Sequence, residues 1–158
     1  MKIENDIRIL VIGYGNPGRR DDGLGAAFAE RIQALELPGI AVDADYQLTV
    51  EDSASIAQCD IVLFADASVN GPEPFELTPV QMPPCVTTGF STHGLSAGAL
   101  LKLSSELFGF SPKAFQLAIR GYDFGDFGEQ LSERAQGNLE AAVAHLTPLF
   151  QTGFRRFS

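Results

Sequence analysis

Asp22, Asp66 and His93 are the side chains of this 158-residue sequence whose types and positions could do chemistry together. Two carboxylates and one imidazole, 44 and 27 residues apart, offer hard oxygens and one ring nitrogen. Such a set suits a divalent ion such as nickel, zinc, manganese or iron, and three protein ligands leave coordination positions open. Each residue also has a plainer reading. Asp66 follows an apolar run and could close a strand through an Asx turn. His93, in Thr92-His93-Gly94-Leu95, could be a surface loop histidine. Asp21 and Asp22 precede a helical pattern, where carboxylates cap free N–H groups and complement the helix dipole. One of the pair is expected to cap, leaving the other for a site. The following Gly23-Leu24-Gly25 is costly at a helix start, at about 1 kcal/mol per glycine against alanine. It implies a need for space, such as a partner chain approaching the helix end. His145 lies in an alanine-rich helical stretch and reads as a packing or surface residue.

Gly13, Gly15 and Gly18 spell G-x-G-x-x-G after an apolar run, and Asp43 stands where a ribose-binding acid would stand. That pattern is the dinucleotide fingerprint, but three features oppose it. Pro17 sits inside the motif, the helical pattern starts late, near Asp22, and Asp21 and Asp22 would meet the pyrophosphate, offset only in part by Arg19 and Arg20. A tight strand-to-helix loop needing a positive φ accounts for the glycines equally well. Arg19 and Arg20 could hold the acidic pair or contact substrate carboxylates. There is no H-E-x-x-H helix and no G-x-S-x-G elbow. Of the two cysteines, Cys59 next to Asp60 reads as structural, and Cys85 falls in a loop. An aspartic dyad would require Asp22 and Asp66 to approach closely enough to share a proton.

The elements that must carry these residues follow from hydrophobic periodicity. Residues 7–12 form a short β-branched apolar run, as expected of a strand buried on both faces. Residues 22–35 place Leu24, Ala27, Phe28, Ile32 and Leu35 on one helical face. Further strands are predicted over 39–42, 61–65, 75–80 and 114–120, and helices over 50–58, 96–107 and 131–150, the last weakened near its end by Pro148. Residues 121–128 form a glycine-rich loop, and the stretch around Met82, Pro83 and Pro84 is loop. Alternation of strands and helices predicts an α/β fold, a single three-layer domain spanning 1–158, with a twisted, mostly parallel sheet of about five strands and helices on both faces. In such sheets ligands bind beyond the carboxyl ends of the strands, where Gly13-Tyr14-Gly15-Asn16 and Asp66 fall. The basic, aromatic tail Phe154-Arg155-Arg156-Phe157 could dock on the body or remain free.

With 45% hydrophobic residues and no linker, repeat or low-complexity tract, the chain has material for one core. Its formal charge of −9 argues against a nucleic-acid partner. No run approaches the ~18 apolar residues of a membrane span, and MKIENDIRIL is not a signal peptide, so a cytoplasmic protein is expected. Two cysteines and two histidines exclude a zinc-finger spacing and a disulfide framework.

The segment Gly13-Tyr14-Gly15-Asn16-Pro17-Gly18-Arg19-Arg20-Asp21-Asp22-Gly23-Leu24-Gly25 resembles the N-terminal signature of the nickel–iron hydrogenase maturation endopeptidases, G-x-G-N-x-x-x-x-D-D/E-G-x-G. The likeness continues through Tyr46-Gln47-Leu48-Thr49-Val50-Glu51, Phe64-Ala65-Asp66-Ala67 and Ser91-Thr92-His93-Gly94-Leu95, in order and over essentially the whole chain. It implies a twisted sheet with helices on both faces. It also implies an endopeptidase that trims the C-terminal extension of a hydrogenase large-subunit precursor after nickel insertion. By motif, Asp22, Asp66 and His93 are then the metal-contacting and catalytic residues; on such a site a carboxylate, Asp22 or Asp66, could serve as general base. Nickel is the expected metal, held by the enzyme or carried by the precursor, with cadmium or zinc able to substitute in vitro. The expected partner is that precursor, with the enzyme itself a monomer. The loop Gly121-Tyr122-Asp123-Phe124-Gly125-Asp126-Phe127-Gly128 is only loosely like the corresponding family segment, and Gln47-Leu48-Thr49 replaces a glycine- and threonine-containing loop. Both departures bear on substrate choice. The rival readings are a dinucleotide-binding regulatory module built on Gly13, Gly15 and Gly18, and a catalytically silent escort of the precursor.

Overall fold

The computed structural model describes residues 7–84, 95–125 and 127–155; His93, Cys85 and Asp126 lie outside them. Among these described residues five strands form one sheet: β1 (Ile9–Tyr14), β2 (Ile40–Asp45), β3 (Ile61–Ser68), β4 (Phe75–Pro79) and β5 (Lys113–Arg120). Their spatial order is β2-β1-β3-β5-β4. All neighbours are parallel except β4, which pairs antiparallel with β5 along the edge. The helices are α1 (Leu24–Ala34), α2 (Asp52–Ile56), α3 (Ala97–Phe108) and α4 (Glu133–Gln151). The expected α/β sandwich is therefore what forms.

Strand alternation sorts the core into two layers. Ile9, Val11, Leu63, Ala65, Phe115, Leu117 and Ile119 face Leu24, Phe28 and Ile32 of α1 and Leu139, Leu146 and Phe150 of α4. Leu10, Ile12, Val62, Phe64 and Ala114 face Ile56 of α2 and Leu100 and Leu101 of α3. The central strands β1 and β3 are buried on both faces, which is why they read as unbroken apolar runs.

Several boundaries differ from the sequence reading. β2 runs on to Asp45 because its partner β1 continues to Tyr14, so the pairing carries polar residues that periodicity excludes. β3 continues past Asp66 to Ser68, paired with β5. Asp66 is thus inside a strand rather than closing it. Pro148 lies within α4, which continues to Gln151 with Leu149 and Phe150 packed into the core. Tertiary burial there outweighs the lost hydrogen bond. The tail docks at its start: Phe154 is buried, stacked on Phe115 at 5.2 Å and edge-on to Phe150 at 5.5 Å.

The glycines at the start of α1 do need space, but the approaching groups belong to this chain. A Cβ on Gly25 would lie 2.3 Å from the Ala65 carbonyl oxygen and 2.5 Å from that of Tyr14. One on Gly13 would lie 2.1 Å from the Gly25 carbonyl oxygen. The helix is thereby pressed onto β1 and β3, and since a Cβ on Gly23 would lie 2.8 Å from Pro17 Cα, no partner chain is needed to explain Gly23 and Gly25.

Candidate active site

The crossover from β1 to β2 leaves on one side of β1 and the chain returns to β3 on the other. The carboxyl ends of β1 and β3 therefore flank a topological switch point, the place where open α/β sheets form ligand crevices. Asp66 projects there from β3. Asp22 reaches the same place from the 3-10 turn Arg20–Gly23 that precedes α1. Its Oδ2 accepts the Asn16 N–H at 2.9 Å, which fixes the carboxylate against the loop following β1. Gly15 separates the two aspartates: its backbone has φ +128°, and a Cβ there would meet the Asp22 carbonyl oxygen at 2.2 Å and Asp66 Oδ1 at 3.8 Å. Only glycine permits both the dihedral and the approach.

The two acids are close enough to interact. Burial, joined by the charge of Asp22, pushes the Asp66 carboxyl up to about 6, against the opposing pull of hydrogen bonds from the Ala67 N–H and the Tyr14 hydroxyl. The Ala67 bond, to Asp66 Oδ1, measures 2.8 Å. Tyr14 itself is driven up to about 12 by burial and by the neighbouring Asp66 charge, so it stays a neutral donor. Its oxygen accepts a hydrogen bond from Gln116 Nε2 at 3.2 Å. Tyr14 and Gln116 were not singled out as site residues by sequence reasoning. The available signal is one amide inside the apolar strand Lys113–Arg120, where a polar side chain needs a partner.

The expectation that one of the acidic pair caps the following helix is not met. The residue before α1 is Gly23, and no side chain caps that end. Asp21, fully buried, instead accepts the Tyr122 and Asp123 N–H groups at 2.8 and 2.9 Å and the Ser132 N–H and hydroxyl, both at 2.7 Å. Burial resists its ionisation, but the Ser132, Asp123 and Tyr122 donors prevail and hold its carboxyl below the usual range. Ser132 is the N-cap of α4, so Asp21 joins three segments: the 3-10 turn, the 121–128 loop and the last helix. The arginines serve the same junction rather than the acidic pair. Arg19 donates to the Phe124 carbonyl at 3.1 Å, and the Arg20 Nε lies 3.6 Å from Asp123. Arg20 takes φ +50°, and its N–H bonds the Gly128 carbonyl.

The glycine loop offers no phosphate cradle. The Gly15, Asn16, Gly18, Arg19, Arg20, Asp21 and Asp22 N–H groups are all used within the chain. The cleft beside Gly15, lined by Pro17, Ala26, Ala44, Asp45 and Tyr46, holds only about 170 Å³, too little for a dinucleotide. A larger groove of about 520 Å³, beside Arg8, Gly39 and Cys59, lies at the amino ends of the strands, away from both acids. Cys59 is buried, its thiol raised to about 11 by burial and by Asp60, and it donates to the Ile56 carbonyl, as a structural thiol would. His145 is exposed, its ring 5.3 Å from that of Phe75.

Of the three residues expected to act together, Asp22 and Asp66 meet at one site. His93 lies outside the described residues; Leu95, two positions on, is buried in the layer beneath Asp66. Among the described residues no three His, Cys, Asp or Glu side chains form a metal-binding group. The acidic pair nevertheless fits a cation, because a positive charge between two neighbouring carboxylates relieves their repulsion.

These features describe an open α/β domain with two neighbouring carboxylates at its switch point and a glycine loop whose N–H groups are spent within the chain. No protein-family model matches the sequence, and no curated protein matches it. Solved structures do. The fold matches the hydrogenase maturating endopeptidase HybD from E. coli with a TM-score of 0.73 at 22% identity, covering 93% of this chain and 94% of that one. It matches the maturation protease HycI from Thermococcus kodakarensis with a TM-score of 0.69 at 24% identity, covering 91% and 92%. A hydrogenase 2 maturation peptidase from a Thaumarchaeota archaeon gives 0.66 at 21% identity, covering 94% and 99%. The chain therefore has the fold of the hydrogenase maturation proteases over nearly its whole length.

Proposed function

We propose that this protein is an endopeptidase that removes the C-terminal extension from the large-subunit precursor of a nickel–iron hydrogenase after nickel has been inserted. The observation that carries the reading is the approach of Asp22 and Asp66 at the switch point, on a fold shared with HybD and HycI. The motif likeness assigns His93 as the third member. In this reading the nickel belongs to the precursor and serves as the recognition token. Asp22, Asp66 and His93 contact it and leave coordination positions for the precursor's own ligands. When bound, the metal polarises the scissile carbonyl.

The protein's own residues then do the rest. Asp22, held by the Asn16 N–H, presents a fixed negative charge to the cationic centre. One of the two carboxylates, Asp22 or Asp66, acts as the general base that takes a proton from the attacking water. The enzyme acts as a monomer in the cytoplasm; among the described residues no helix is long and apolar enough to cross a membrane.

Metal-stripped enzyme incubated with nickel-loaded and nickel-free precursor tests this reading. Cleavage of the loaded form alone is expected, and equal cleavage of both would remove nickel from recognition. Asp22→Asn and His93→Ala should each abolish processing, and full activity in both would remove the site assignment. An escort without activity would leave the loaded precursor uncut by the wild type.

A further inference from the structure

We propose that Tyr14 and Gln116 form a two-residue relay that sets the orientation of Asp66, with Tyr14 as the positioning residue. The inference rests on the assignment of Asp66 to the site made above. Tyr14 ends β1, and Asp66 and Gln116 lie on β3 and β5, so three strands contribute to the relay. All three side chains belong to the face that packs on α2 and α3, since they alternate in phase with Ile12, Phe64 and Ala114. Gln116 Nε2 donates to the Tyr14 oxygen at 3.2 Å. The register pairs Gly13 with Ala65, so Tyr14 stands beside Asp66 on this face; with its oxygen used as an acceptor, its hydroxyl proton turns to Asp66. The direction is therefore fixed: amide to phenol to carboxylate, each bond polarising the next.

In this relay Asp66 is anchored twice, by the Ala67 N–H on Oδ1 at 2.8 Å and by the Tyr14 hydroxyl. A carboxylate has about four acceptor directions. Two being spent on the protein, the rest are presented to whatever binds between Asp66 and Asp22. Partners behind a ligating side chain commonly govern metal affinity by 10–100-fold.

The test uses full-length protein and nickel(II) alone, titrated by calorimetry into wild type, Tyr14→Phe, Gln116→Leu, the double variant and Asp66→Asn. Tyr14→Phe keeps the ring and the packing and should bind nickel about tenfold more weakly. Gln116→Leu should lose less. The double variant should match Tyr14→Phe, because the amide acts only through the phenol. Tyr14→Phe binding as tightly as wild type, while Asp66→Asn loses the metal, would overturn the relay and leave the site assignment standing. Should Asp66→Asn itself bind nickel normally, the assignment of Asp66 as a ligand fails, and a metal-free readout decides the relay. The side-chain carboxylate carbon resonance of Asp66, recorded near pH 8, should shift in Tyr14→Phe. An unshifted resonance would overturn the relay.

Discussion

The two aspartates at adjacent positions 21 and 22 have different surroundings, and the difference is set by how their hydrogen bonds are supplied. Asp21 takes four donors and is held ionised; Asp22 takes one from the loop after β1 and faces the site. Asp66 is the opposite case to Asp21, an acid whose burial and charged neighbour favour the proton. Its folded value near 6 lies above the ordinary aspartate value of 3.8. Between those values the folded protein keeps a proton that the unfolded chain gives up, so stability falls as pH rises through that window and stays lower above it. Asp66→Asn should therefore be more stable than wild type near pH 8, by about 1–2 kcal/mol after allowing for solvent access, with no gain below about pH 4. Urea unfolding at both pH values measures this, and a variant less stable than wild type at the higher pH would contradict it. Nothing in the order Asp21-Asp22 reveals which residue does which; the donors come from positions 122, 123 and 132, and sequence separation hides them.

The elements at the carboxyl end of the sheet are held together by few contacts of high consequence. The 121–128 loop pairs its Gly128 with residues 18 and 20, and Asp21 ties it to the N-cap of α4. Removing that carboxylate strands four donors, two of them at a helix start. Asp21→Ala should destabilise the protein by about 3 kcal/mol, lowering the melting temperature by roughly 10 °C. The deficit should shrink as the pH drops through the depressed carboxyl value of Asp21, because below it the wild type loses the same interactions. Calorimetric scans at neutral and acid pH check both statements. The residue types of these elements were legible in advance, as a glycine-rich loop and a polar helix start. Their joining was not, since it depends on groups about a hundred residues apart.

Across the whole molecule the sheet is most secure at its centre and least at β2. β1 and β3 are covered on both faces, whereas β2 is an edge strand with Ala41, Asp43, Ala44 and Asp45 exposed. Amide hydrogen exchange is expected to be slowest in Val62, Leu63 and Phe64 and markedly faster in β2. Uniform protection across the five strands would contradict that gradient. Asp66 hangs from one of these secure strands, and Asp22 is tied by the Asn16 N–H to the loop that follows the other. The sequence by itself determined the alternation of strands and helices, the apolar faces, and the candidates Asp22 and Asp66, because each is a local pattern of side-chain type. It also carried the glycine fingerprint, which points toward nucleotide binding until the loop N–H groups are followed to their partners. Only the tertiary structure decided that those groups are spent internally, that Gly13 and Gly25 exist to let α1 touch β1 and β3, and that Tyr14 and Gln116 stand behind Asp66. The reason is the same each time. These are contacts between strands and loops remote in sequence, and a linear pattern records which groups need partners but not which partners they find.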